Sequence, residues 1–139
     1  MSAESAADAP RQDGLLETAL YVDDIERSAG FYQSLFGFAP VYSGPRLTAL
    51  RVRDGQVLLL FKKKASAGLP RIPHDGDGQL HMAFAIPRDA LESWETRLGA
   101  MGIAVVEKTT WDRGGQSLYF RDPDQHLIEL ATPGLWANY

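Results

Sequence analysis

Three side chains able to hold a divalent cation, Glu17, His81 and Glu129, each precede an alanine by two positions: Ala19, Ala83 and Ala131. Glu129 stands among Leu127, Ile128 and Leu130 in a run that reads as a β-strand. A carboxylate on the inner face of such a strand costs several kcal/mol unless a cation or hydrogen-bond donors hold it. Strand side chains alternate between faces, so Glu17, Ala19 and Tyr21 share one face, as do His81, Ala83 and Ala85, and Leu127, Glu129 and Ala131. A small residue beside each coordinating one leaves room for something other than protein. Two carboxylates and one imidazole form a hard, oxygen-rich ligand set that suits one divalent metal such as Mn²⁺, Fe²⁺, Zn²⁺ or Ni²⁺, with water on the open positions. The competing readings are structural: an ion pair of Glu129 with Arg51 or Arg121, a core histidine at 81, and a base rather than a ligand at Glu17.

The elements that position these residues come as the same paragraph written twice. Leu15–Val22 alternates as a strand, and "DDIERSAGFYQSLFGF" then switches to helical spacing with Ile25, Ala29, Tyr32 and Phe36 on one face, capped by Asp24 and stopped at Gly37. Strands follow at about 39–43, 47–53 and 56–61, with "RDG" turning between the last two. Residues 62–79 are rich in Gly, Pro and charge and read as a linker. The order then repeats: a strand over 80–86, a helix over about 89–101 with Asp89 and Glu92 spaced as a capping box, and strands near 103–108, 116–121 and 126–131. Glu17-x-Ala19 maps on His81-x-Ala83 at an offset of 64 residues, and "DGQVLLL" maps on "DQHLIEL" at an offset of 70. A duplicated β-α-β-β-β unit is the simplest account. It places Leu59 at the position equivalent to Glu129.

Composition narrows the function. At 139 residues, with 45% hydrophobic and 10% aromatic residues, the chain suits one α+β domain with a sizeable core. We expect a mobile tail over 1–13, then one domain over 14–136 built of modules 15–61 and 79–132 joined by the linker 62–78. Net charge is −4, and the lysines and arginines form no basic stripe beyond Lys62–Lys64, so nucleic acid is not an expected partner. No cysteine is present, which removes disulfides and thiolate chemistry. With no leader-like apolar segment and no apolar run of membrane length, the expectation is a cytoplasmic protein acting on a small molecule without a membrane.

"ETALYVDDIERSAGFYQSLFGF", "HMAFAI" and "SLYFRDPDQHLIELATPGLW" resemble the vicinal-oxygen-chelate superfamily, which holds glyoxalase I, extradiol dioxygenases, fosfomycin-resistance enzymes and bleomycin-resistance proteins. The resemblance implies paired β-α-β-β-β modules forming a cupped mixed sheet around a divalent metal, and a homodimer. It places Glu17, His81 and Glu129 on three ligand positions and Leu59 where glyoxalase I carries a fourth, glutamate ligand. Ser117 and Tyr119 fall where the fosfomycin-resistance branch lines its substrate pocket, while Trp111 and Arg113 precede Gly114–Gly115 as a lip over the cavity. Most members have glycine at the position of Gln125. His126 lies on the face opposite Glu129 and is expected to be exposed or packed on a helix.

The function these readings imply is a metal-dependent, glyoxalase-like lyase or isomerase. It would bind a substrate through two neighbouring oxygens and stabilise an enediolate-like or oxyanion intermediate, with Glu17 as the candidate base. The alternatives are a bleomycin-resistance-like binding protein, for which a buried charge in the cup has no use, and an extradiol-type dioxygenase, whose two-histidine set this chain lacks.

Overall fold

A computed structural model describes residues 7–139; of the tail expected over 1–13, residues 1–6 lie outside the described residues. Module one runs β1 (Glu17–Val22), α1 (Ile25–Phe36), β2 (Ala39–Ser43), β3 (Leu47–Arg53) and β4 (Gln56–Lys62). Module two runs β5 (His81–Ala85), a 3₁₀ turn (Arg88–Ala90), α2 (Leu91–Ala100), β6 (Glu107–Thr110), β7 (Gln116–Arg121) and β8 (Leu127–Ala131). The two sheets have the same order, β1-β4-β3-β2 and β5-β8-β7-β6, each with one parallel pair, β1–β4 and β5–β8.

Local chemistry explains most boundaries. Asp24 accepts the Arg27 N–H at 3.1 Å to cap α1, and Gly37 ends it in a left-handed conformation (φ 74°). Gly55 turns the β3–β4 hairpin at φ 75°. Three expectations need correction. The Asp89–Glu92 capping box does not form, because Pro87 leads into a 3₁₀ turn and α2 starts only at Leu91 with Ala90 at its cap. Residues 103–106 are not strand: the Ile103 N–H is taken by Leu98 O at the end of α2, which delays β6 to Glu107. The strand expected over Leu15–Val22 starts two residues later, at Glu17, and leaves Leu15 and Leu16 exposed.

The core lies between the sheets and the helices. Leu20, Leu50, Leu58 and Leu60 of module one and Leu98, Leu118, Phe120, Ile128 and Leu130 of module two are all 2% exposed or less. The modules meet through their helical sides: Phe36 packs on Phe84 (ring centroids 4.6 Å) and on Trp94 (5.3 Å), and Phe31 packs on Phe120. Arg97 of α2 donates to the Leu35 and Ser34 carbonyls at 2.8 Å each, satisfying acceptors that the end of α1 leaves open. Phe84 alternates with Ala83 and Ala85 on β5, so the face carrying His81 is turned away from this packing.

The turn between β7 and β8 joins the modules through polar groups. The Tyr32 hydroxyl donates to Asp122 Oδ2 at 2.6 Å, the Ser28 hydroxyl to Asp124 Oδ2 at 2.7 Å, and the Asp23 N–H to Asp124 Oδ1 at 2.9 Å. Burial, and then the Asp122 carboxylate, hold the Tyr32 phenol far above the ordinary phenol range. The linker is ordered as well. His74 Nδ1 lies 2.8 Å from the Tyr21 hydroxyl and its ring packs edge-on against Phe61 at 4.5 Å, covering the end of the face that begins at Glu17.

Candidate metal site

Pairing within module two gathers the candidate residues. Glu129 on β8 is flanked by Ala83 on β5 and Tyr119 on β7, while His81 pairs with Leu127 and Ser117 with Ala131, one step to either side. Residues two apart on neighbouring strands share a face, so His81, Glu129, Ser117 and Tyr119 converge. Glu129 is 5% exposed. At that depth a carboxylate needs partners, and it has two: the Ser117 hydroxyl donates to Oε2 at 2.5 Å, and His81 Nε2 lies 3.2 Å from Oε1. Neither structural alternative is formed, since Arg51 pairs with Asp54 and Arg121 donates to the Gln125 carbonyl.

The proton inventory of His81 is informative. Its Nδ1 is 2.9 Å from the Leu127 carbonyl, which can only accept, so Nδ1 carries the proton. In the neutral ring the Nε2 lone pair then points at a carboxylate oxygen. Two lone pairs at 3.2 Å repel unless a cation, a proton or a metal ion lies between them. Two donors bound to one first-row cation at about 2.0–2.2 Å each stand roughly 3 Å apart, so this pair fits an adjacent pair of metal ligands. A histidine whose remote N–H is fixed by a carbonyl is also the usual arrangement of a metal-binding imidazole.

The surroundings are built from β7 and the β6–β7 loop. The Trp111 indole N–H donates to Ser117 Oγ at 2.8 Å, making a relay from Trp111 through Ser117 to Glu129. The loop is held by Trp111 N–H to Gly115 O at 2.8 Å, and Trp111 and Arg113 lie on the exposed side. Tyr119 lies near His81, ring centroids 6.3 Å apart at 30°. Desolvation, and then the negative charge of Glu129, raise the Tyr119 phenol above its ordinary range, so it remains a hydrogen-bond donor.

Module one supplies the counterpart. Glu17 pairs with Val57, and Leu59 lies between Ala19 and Ala49. Glu129 lies between Ala83 and Tyr119, so the register of the two sheets matches the offset of 70 residues. Glu17 is exposed and lines a cavity of about 190 Å³ with Leu16, Val57 and Met82–Phe84. Among the described residues no three His, Cys, Asp or Glu side chains converge to hold a metal ion, so a single chain brings together His81 and Glu129 without Glu17.

His126 departs from expectation. It is fully buried, neither exposed nor merely packed: Nδ1 accepts the Leu80 N–H at 2.9 Å, and Nε2 donates to the Tyr21 carbonyl at 2.9 Å. Asp122, Asp124 and His126 are the polar residues whose importance the sequence reading missed. Their crowding in the six residues "RDPDQH" between two apolar strands was the available signal.

Residues 14–130 match the sequence profile of the Glyoxalase/Bleomycin resistance protein/Dioxygenase superfamily. The chain therefore belongs to that superfamily. A lactoylglutathione lyase from Agrobacterium tumefaciens superposes with a TM-score of 0.86 at 31% identity, over 92% of this chain and 99% of that one. The metallothiol transferase FosB of Shouchella clausii is 27% identical, covering 86% of this chain and 80% of its own length. The fosfomycin resistance protein FosX of Listeria monocytogenes is 28% identical, covering 84% and 87%.

Proposed function

We propose that this protein is a metal-dependent enzyme of the glyoxalase-like group, acting on a small substrate that offers two neighbouring oxygens. The observation that carries this reading is the His81–Glu129 pair: an imidazole with its far nitrogen committed to a carbonyl and its near nitrogen aimed at a buried carboxylate 3.2 Å away. His81 and Glu129 would hold one divalent ion, which when bound supplies Lewis-acid stabilisation of negative charge developing on a substrate oxygen. Of the candidates named from sequence, Mn²⁺, Fe²⁺, Zn²⁺ and Ni²⁺ all accept this nitrogen and oxygen donor set.

The chain's own groups have defined work. Ser117 donates to Glu129 and fixes which carboxylate oxygen faces His81. Trp111 in turn orients the Ser117 hydroxyl, leaving its proton for Glu129. Tyr119, kept protonated by burial and by Glu129, is placed to donate to a substrate oxygen beside the pair. Glu17 is the third ligand, or the base that takes a substrate proton. Because the modules meet through their helices and Glu17 does not converge with His81 and Glu129 in one chain, we assign it to the site of a second copy, in a homodimer.

The test is metal analysis of protein purified without a histidine tag, followed by activity assays with the recovered metal. The substrates would be fosfomycin, with and without an added thiol, and lactoylglutathione, because a metallothiol transferase, a fosfomycin resistance protein and a lactoylglutathione lyase match most of the chain. Stoichiometric metal that is lost in His81→Ala and Glu129→Ala supports the reading. A protein that holds no divalent ion, yet retains small aromatic molecules, would instead be a binding protein.

A further inference from the structure

The turn that carries Asp122 to His126 lies outside the site, yet its histidine touches the start of β5, which carries His81, and β1, which carries Glu17. His126 Nδ1 accepts from the N–H of Leu80, the residue before His81. Its Nε2–H reaches 2.9 Å across the module boundary to the carbonyl of Tyr21 on β1, the strand that opens with Glu17. Both nitrogens are thus used, which fixes the ring as the neutral Nε2–H form. The adjoining Leu127 completes the arrangement: its N–H donates to Leu80 O at 2.8 Å, and its carbonyl meets His81 Nδ1.

The ring is itself held. Asp122 Oδ1 accepts the backbone N–H groups of Asp124 and His126, both at 2.9 Å, while Oδ2 takes the Tyr32 hydroxyl from α1. Asp122 is 2% exposed and His126 fully buried, so no water competes for these bonds. A purely structural link between modules needs only the Tyr21 contact. The second bond, to the backbone beside His81, bears on the ligand.

We infer that His126 is a positioning residue for the metal site: it sets the backbone from which His81 projects, relative to the Leu127 carbonyl that fixes the His81 tautomer, and ties that backbone to β1. This rests on the reading of His81 as a ligand. Partners one bond removed from a metal typically alter affinity about 10- to 100-fold when lost.

Two near-isosteric replacements separate the two bonds. His126→Asn places its carboxamide oxygen where Nδ1 lay and keeps the Leu80 bond, whereas His126→Gln places its amide nitrogen where Nε2 lay and keeps the Tyr21 bond. The full-length protein and both variants would be titrated with Co²⁺, followed by visible absorption, at a temperature where melting curves show all three folded. The ring-nitrogen resonances of His81 would be recorded in metal-free ¹⁵N-labelled samples. The expected result is Co²⁺ affinity within about threefold of wild type for Asn and at least tenfold weaker for Gln, with the His81 Nδ1–H signal sharp in the first and exchanging in the second. Unchanged His81 resonances in both variants would overturn the inference, whatever the melting temperatures. If wild type binds no Co²⁺ while Gln alone disturbs His81, the metal reading falls and the positioning role stands.

Discussion

His81 Nε2 stands 3.2 Å from Glu129 Oε1 while the opposite ring nitrogen is held by Leu127 O. This geometry makes the pair adverse without a cation and favourable with one. Glu129→Gln should therefore remove metal binding while leaving the metal-free fold as stable as wild type, or more so, because the new amide can donate to Nε2. Loss of outer partners alone costs about 10–100-fold in affinity, so loss of the proposed ligand should exceed roughly a hundredfold. Calorimetric titration with Co²⁺ and melting curves of apo-protein check it. A variant that binds metal normally, or whose apo form is strongly destabilised, contradicts the assignment.

Tyr32 should make the fold sensitive to alkali. Its folded-state pKa is raised by burial and by Asp122, so its contribution is complete below the unfolded phenol pKa of 10.0 and is lost as pH rises above it. Tyr32→Phe removes a hydrogen bond to a buried carboxylate, which should cost about 1.5–3 kcal/mol near neutrality. It should also flatten the loss of stability above pH 10. Some slope will remain, because Tyr119 and Tyr139 are raised too. Urea titrations between pH 7 and 11 measure both effects, and parallel pH profiles for the two proteins would rule the account out.

Leu59 occupies in module one the place that Glu129 holds in module two, between Ala19 and Ala49. Leu59→Glu should add a carboxylate to the face that carries Glu17. If that face completes the site, the variant should bind metal more tightly, and its loss of melting temperature should shrink in saturating metal. Without the cation the added charge repels its neighbours and is only half solvated. Equal destabilisation with and without metal would show that the two faces do not meet around one ion.

Gln125 adopts φ 67° in the turn that closes β7 to β8. A side chain in that left-handed conformation costs roughly 1–2 kcal/mol, against about 0.5–1 kcal/mol for the extra unfolded-state freedom of glycine. Gln125→Gly should thus raise the melting temperature by a few degrees at most, with metal affinity unchanged, because the side chain makes no contact with the pair. A lower melting temperature would mean that the turn is not strained.

The sequence alone determined the duplicated modules, the strand faces and the chemistry of the candidate ligands. Those follow from local rules: alternation along a strand, helical spacing, caps, and the offset of 70 residues between "DGQVLLL" and "DQHLIEL", which strand pairing reproduces residue by residue. The capping box failed because its residues have the right spacing, but Pro87 directs the chain into a 3₁₀ turn first. Tertiary structure alone decided what each polar group faces. Ser117 and Trp111 reach Glu129, a backbone carbonyl selects the His81 tautomer, and His126 is buried between Leu80 and Tyr21, 46 and 105 residues away. Backbone acceptors carry no residue identity, and the direction of a hydrogen bond between distant segments depends on how two modules pack. No spacing within either module encodes that.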